Sequence, residues 1–280
     1  MKTRTFITIR HLSGCVIMIS LLLFFSCQKE KEQAAVPNPS PSGGQSEPQS
    51  GDVVYNVVVD VDGHSYDAVL IGNKFWMIQN LKATRYSNGE EIPVGVPDED
   101  RTDTAPLRFV PKGDGAYVEQ YGYLYNWPAV MHGANSSSHN PSGVQGVCPY
   151  GWHVPSRAEW EQLTNFIGLQ SEYQCNGDRY NVAKAMASTS GWKEASKTCA
   201  VGNKQYNNNA THFSAYPAGR GDISVNNNFT QDAYFWSCTQ SATPGWEMYA
   251  YDFELDYYSA TTYMYAPYKG NAMAVRCVRD

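Results

Sequence analysis

The chain has 280 residues, and its 27 Asp and Glu outnumber 21 Lys and Arg for a formal net charge of −6 at pH 7. That balance argues against a nucleic-acid partner or adsorption on an anionic membrane face, since both need a basic footprint. Seven Trp and twenty Tyr, all after residue 54, argue against a plain helical bundle and favour a twisted sheet or a loop-rich exported fold.

At the amino end, Lys2, Arg4 and Arg10 precede the apolar run from Val16 to Phe25, which stops at Ser26 and Cys27. The run is too short to span a bilayer, which takes roughly 20 apolar residues. Its layout predicts a secretory signal over residues 1–26. A cysteine directly after a small residue resembles a bacterial lipoprotein cleavage site, with Cys27 as the lipidated first residue. The expected address is therefore the outer membrane, held by lipid and exposed at the cell surface. Cleavage removes three basic and no acidic residues, leaving 18 Lys and Arg against 27 Asp and Glu, a net of −9. Residues 27–52 carry four Pro and three Gly without one aromatic, so they predict a flexible tether that cannot recover its ordering entropy. Its charged start, Gln28 to Glu32, resembles the export tags of surface lipoproteins in Bacteroides-like bacteria.

Residues 53–280 contain no further linker and no internal repeat, which predicts one large domain. It opens as a β-meander: Val53 to Val59, a hairpin turn at Asp62-Gly63, Tyr66 to Ile71, a turn at Gly72-Asn73, then Lys74 to Leu81. Asp60, Asp62 and Gly63 briefly suggest a calcium loop, but the later ligand positions lack carboxylates, so turn chemistry is the reading. Ser156 and Glu159 form a capping box that opens a helix with Trp160, Leu163, Phe166 and Ile167 on one face. A second, shorter helix is predicted over Arg179 to Ala187. Met248 to Tyr258 alternates as a strand, with Tyr249, Tyr251, Phe253, Leu255 and Tyr257 on one face and Asp252, Glu254 and Asp256 on the other. Ala272 to Val278 reads as a closing strand. The class is α+β, with antiparallel sheet, an N-terminal hairpin, two helices and a long loop-rich region.

Six blocks occur in order: Val69 to Leu81 (VLIGNKFWMIQNL), Tyr121 to Trp127 (YGYLYNW), Cys148 to Pro155 (CPYGWHVP) with Glu159-Trp160, Phe213 to Arg220 (FSAYPAGR), Phe235 to Thr239 (FWSCT) and Ala274 to Asp280 (AVRCVRD). The series resembles the Fibrobacter succinogenes major paralogous domain, found in lipoproteins and secreted proteins of Bacteroidetes and Fibrobacteres, over most of residues 55–280. The family brings no established activity. Its layout resembles a C-type-lectin-like fold.

An exported chain meets oxidising conditions, so the five cysteines after Cys27 are expected to pair, although sequence alone leaves fifteen arrangements open. Cys148 and Cys277 lie in two of the family blocks, and lectin-like folds tie their first structured segment to their last strand; the resemblance therefore implies Cys148 with Cys277. Cys175 and Cys199 flank the second helix and form the local pair. Cys238 stands where the family pattern has Ser, which leaves it as the free thiol.

Catalytic motifs are missing: there is no His-Glu-x-x-His, Gly-x-Ser-x-Gly, phosphate-cradling loop or Rossmann fingerprint. No Cys-x-x-Cys or matched His spacing points to a metal, and no cofactor is expected. His153, inside a family block, reads as a structural histidine. Lectin-like folds also include formylglycine-generating oxidases, but their paired active-site cysteines have no counterpart here. The calcium-and-sugar motifs of calcium-dependent lectins, Glu-Pro-Asn or Gln-Pro-Asp followed by Trp-Asn-Asp, are likewise missing.

What remains is binding. Aromatic faces beside acidic groups suit sugar or peptide ligands, and Trp246, Asp252, Glu254, Asp256 and Tyr258 supply both. The expected surface places the three carboxylates in solvent, opposite the core-facing aromatics. The leading expectation is a surface lipoprotein that binds glycan or protein, the second a structural component of an envelope assembly, and the third an enzyme acting through Cys238.

Overall fold

The first hairpin closes through its own turn chemistry. Asp60 accepts from the backbone N–H of Asp62 and of His64 at 3.0 and 2.9 Å, and Gly63 takes φ +90°, a conformation that costs glycine nothing. In this computed structural model, residues 48–96, 102–221 and 228–280 are described. The signal, Cys27 and nearly all of the tether lie outside the described residues.

The turn joins β1 (Val53–Val59) to β2 (Ser65–Ile71), and β3 (Lys74–Met77) extends the meander. The ladder reaches back past β1, because Gly51 N–H donates to Leu70 O and Leu70 N–H to Asp52 O. A small ribbon follows, formed by β4 (Arg108–Phe109) and β5 (Leu124–Tyr125), with the one-turn helix α1 (Val118–Tyr121) between them. The short helix α2 (Trp127–Met131) is capped by Asn126 Oδ1 accepting from Ala129 N–H. Then come α3 (Arg157–Gly168) and α4 (Ala183–Met186), the long strands β6 (Asp232–Gln240) and β7 (Ala250–Asp256), and the short β8 (Thr262–Tyr263) and β9 (Val278–Arg279).

Sheet order is β1-β2-β3-β9 in one sheet and β6-β7-β8 in another, with every strand pairing antiparallel. The last strand thus pairs with the opening meander, Trp76 opposite Val278. The Cys148–Cys277 disulfide lies beside that closure and the Cys175–Cys199 disulfide joins the segments before and after α4; Cys238 is free and buried. The fold is α+β, mostly antiparallel sheet with few helices.

The capping box of α3 forms fully: Ser156 Oγ accepts from Glu159 N–H and Glu159 Oε2 from Ser156 N–H. Its apolar stripe drives Trp160 into the core, 4.5 Å from Phe253 in a parallel stack and 4.7 Å from Trp76. A second cluster gathers Tyr66, Met77, Tyr125, Trp236 and the Cys148–Cys277 pair. The helix expected over Arg179 to Ala187 is cut to the four residues of α4. Asp178 diverts the chain first, its side chain accepting from Tyr180 N–H and its carbonyl from Asn181 N–H. A local side-chain bond of this kind competes with the helical ladder. Ala272 to Val278 is extended but divides its bonds among several neighbours, bridging Gly221, Tyr125, Phe235 and His153 in turn.

Candidate functional site

Register fixes the composition of one face of the β6-β7-β8 sheet. Glu254 stands opposite Tyr234 on one side and Tyr263 on the other, Asp252 opposite Trp236, and Asp256 opposite Asp232. Directly paired residues share a face, so a lane of carboxylates runs between two aromatic rows. The β6 row is covered, with Tyr234 and Trp236 3% and 0% exposed. The β8 side is open: Tyr263 and Tyr265 stack 5.9 Å apart at 18° and are 37% and 55% exposed. Tyr258 and Trp246 are also half exposed, and Trp246 packs 4.9 Å from Tyr249 at the edge of this region.

The alternation of β7 is real, but its acidic face is not free in solvent. Asp252 is 1% exposed, and its Oδ1 accepts from Tyr265 N–H at 3.0 Å. Asp252 N–H donates back to Tyr265 O. This part of the face is packed rather than open, since Trp236 opposite Asp252 is fully buried in the second cluster. Burial pushes the Asp252 carboxyl up to about 7, against the pull of the Tyr265 N–H and of Arg220. Glu254, half-buried, is pushed up to about 8 by burial and by the charges of Asp252 and Asp232, again opposed by Arg220. Asp232 is raised as well, by burial first, although Tyr234 and Asn228 donate to it. Asp252 and Glu254 therefore hold protons into the neutral range.

A second concentration of polar groups lies inside the molecule. Glu159 is fully buried and receives His153 Nε2 at 2.7 Å, Ser142 N–H at 3.2 Å and Lys74 Nζ at 3.2 Å. Lys74 also pairs with Asp280. Burial alone would raise the Glu159 carboxyl, but His153, the Ser156 N–H and Lys74 together hold it below the usual range. Arg276 is fully buried and donates to Asn80 Oδ1, Met77 O, Phe213 O and Ser214 O while lying over the Phe213 ring. Burial brings its guanidinium down to about 9. Every one of these groups stitches together segments distant in sequence.

Apart from Ser142 and Ser156, those segments fall in the first, third, fourth and sixth of the sequence blocks, and the sequence profile of the Fibrobacter succinogenes major domain matches residues 69–279. The chain belongs to that family. No curated protein and no solved structure matches it. The family blocks are joints: Asn80 and Met77 in the first receive Arg276 in the last, and Trp236 Nε1 in the fifth donates to Tyr125 O in the second. Gly122 in the second block has φ +70°, and a Cβ there would meet Leu81 O at 2.7 Å.

Among the described residues, two groups bring three potential metal ligands within 4.8 Å: Asp60, Asp62 and His64, and His153, Glu159 and Asp280. In the first, Asp60 already accepts from two backbone N–H groups and from Tyr66 Oη at 2.6 Å. In the second, Lys74 supplies the countercharge. Cys238, the one thiol weighed as a nucleophile, is buried against Ser137 O and pushed up to about 12 by that burial.

Of the expected ligand residues, Trp246 and Tyr258 are exposed, Glu254 and Asp256 half-buried, and Asp252 is in the interior. Tyr263, Tyr265 and Asp232 belong to the same face and went unnamed. The i, i+2 spacing of Tyr263 and Tyr265 was the available signal. Asp232 had none, because β6 is buried on both faces and its sequence does not alternate.

Proposed function

We propose that this chain is a surface lipoprotein, anchored through Cys27, whose family domain is a binding or adhesion module for a glycan or protein ligand on a C-type-lectin-like fold. The lectin-like reading is supported by the pairing of β3 with β9, the disulfide beside that closure and a single long helix laid on the sheet. One observation carries the binding reading. Trp246, Met248, Tyr258, Tyr263 and Tyr265 all expose more than a third of their surface within twenty residues of chain, beside half-buried Glu254 and Asp256. A contiguous exposed apolar patch marks an interaction site more often than scattered single residues do, and stacked Tyr263 and Tyr265 form such a pair. The raised Cys238 thiol supports a non-enzymatic role.

The test is binding of the full chain, solubilised in detergent, to glycan arrays and to surface proteins. An exposed Trp at an interface centre is typically worth about 2 kcal/mol or more, so Trp246→Ala should weaken binding more than about tenfold without lowering the thermal midpoint. A second reading, a passive structural component of an envelope assembly, draws on the family blocks being architectural. It predicts no saturable ligand and stable co-purification with other envelope proteins.

A further inference from the structure

The outer face of α3 is not covered by the sheet it packs on. Arg157, Glu161, Thr164 and Asn165 fall at i, i+4, i+7 and i+8, one stripe of the helix. Two open clefts flank this stripe, one of about 600 Å³ and one of about 440 Å³, and Glu161 lines both. The first is bounded by Arg157, Ser136, Gln240, Ser241 and Tyr251, the second by Thr164, Arg179, Tyr180, Thr262 and Tyr263.

We propose that the two clefts form one groove that binds a linear oligosaccharide along the outer face of α3, with Glu161 at its centre. This rests on the binding-module reading and gives it a ligand class.

The chemistry of the lining selects that class. Sugar hydroxyls donate and accept at once, and so does this mixture of hydroxyl, amide, guanidinium and carboxylate groups. The groove also holds three tyrosine rings, Tyr251, Tyr180 and Tyr263, for the apolar faces of pyranose units. Arg157 Cζ lies 4.4 Å from the Tyr251 centroid and Arg179 Cζ 5.4 Å from that of Tyr180, while Tyr180 is 66% exposed. Several lining groups are already fixed. Arg157 Nε donates to Glu161 Oε1 at 2.8 Å, Arg157 N–H to Thr239 Oγ1 at 2.9 Å, and Gln240 N–H to Ser136 Oγ at 2.8 Å. Groups held in place before binding lose less entropy when a ligand arrives.

Other polymers fit less well. A nucleic-acid strand needs a positively charged track, whereas Glu161 offsets Arg157 at the centre of this groove. A peptide added as a strand needs an unpaired sheet edge, and β8 offers two residues.

The experiment is isothermal titration of the detergent-solubilised full chain with linear hexasaccharides of glucose, mannose, galactose, xylose and N-acetylglucosamine. The wild type should bind at least one, with Glu161→Ala and Arg157→Ala each weakening it about tenfold or more, as expected for charge-assisted hydrogen bonds. Both side chains are exposed, so thermal midpoints should stay within about 2 °C of wild type, and Glu161→Gln should recover part of the loss. Hexasaccharide binding that survives both alanine variants and falls with Trp246→Ala overturns the groove but keeps the binding module. A wild type that binds none of the hexasaccharides but captures a surface protein also overturns the groove and leaves the module standing. Loss of both kinds of binding overturns both.

Discussion

Replacing Asp252 with Asn separates the buried carboxyl from everything else in the acidic lane. Asp252 ionises near pH 4 in an unfolded chain and at about 7 in the fold. Its folded value is raised, so the stability it contributes is fully present below the unfolded value and is lost as pH climbs through the folded one. Between those values the folded state holds a proton that the unfolded state has released, and stability falls with each added pH unit. At 1.36 kcal/mol per unit of difference, the loss from this one group between pH 5 and pH 9 is about 3 kcal/mol. For a domain of this size that corresponds to about 6 to 10 °C in thermal midpoint. Asn keeps the shape, and its side-chain oxygen still accepts from Tyr265 N–H, but it cannot ionise. Asp252→Asn should therefore match the wild type near pH 4 and exceed it by several degrees at pH 9. The assay is a pair of pH series of thermal unfolding with the disulfides intact. The comparison must be between slopes, since Glu254 and Asp232 are raised in the same direction and remain in both proteins. Parallel slopes would mean that Asp252 is ionised throughout, either because water reaches it or because Arg220 compensates it fully, and the reasoning from burial would fail.

Three further outcomes follow from single features. The two disulfides close loops of 129 and 24 residues, about 5 and 3.5 kcal/mol in the chain-entropy model; Cys148→Ala with Cys277→Ala should lower the thermal midpoint more than Cys175→Ala with Cys199→Ala, and the reverse order would contradict the model. Arg276→Met removes a buried donor set and leaves three carbonyls and Asn80 Oδ1 unmet, a loss of about 3 to 5 kcal/mol that guanidinium chloride titration would register as a lower midpoint. Cys27→Ala should move the protein out of the membrane fraction or leave its signal uncleaved, and wild-type protein found soluble and without acyl label would remove the anchor, because stable attachment takes more than one chain.

The sequence carried the parts of this fold that depend on local periodicity. The hairpin at Asp62-Gly63, the capping box at Ser156 and the alternation of β7 each announce themselves within a dozen residues, and each is present. The second helix failed because Ala-rich composition speaks only of propensity, while Asp178 bends the chain through a side-chain bond. The extent of β6 was hidden for the opposite reason. Both its faces are buried, Ala233 and Phe235 in the cluster around Trp160 and Tyr234 and Trp236 in the cluster around the Cys148–Cys277 pair, so its sequence shows no outward phase. Asp252 shows how a correct face assignment still misplaces a side chain. Alternation says which side of the sheet a residue leaves from, and cannot say that this side, too, is packed where Trp236 lies opposite Asp252.

The same contrast bears on where function resides. Arg276, Glu159, Trp236 and Gly122 do their work on backbone atoms and neighbouring side chains inside the molecule. A ligand would have to dismantle the joints to reach them. All four lie within the span that matches the family, and each serves the architecture rather than a partner. The surfaces a partner can reach are the ones the joints hold up: the open tyrosine edge at β8, Trp246 beyond it, and the outer stripe of α3. Tyr263 belongs to two of these at once, stacked on Tyr265 at the sheet edge and lining the cleft beside Thr164. Substituting it should therefore disturb both surfaces, whereas Trp246→Ala and Glu161→Ala each disturb one. If Tyr263→Ala alters binding no more than either single-surface variant, the two regions act separately, and the groove and the aromatic edge serve different ligands.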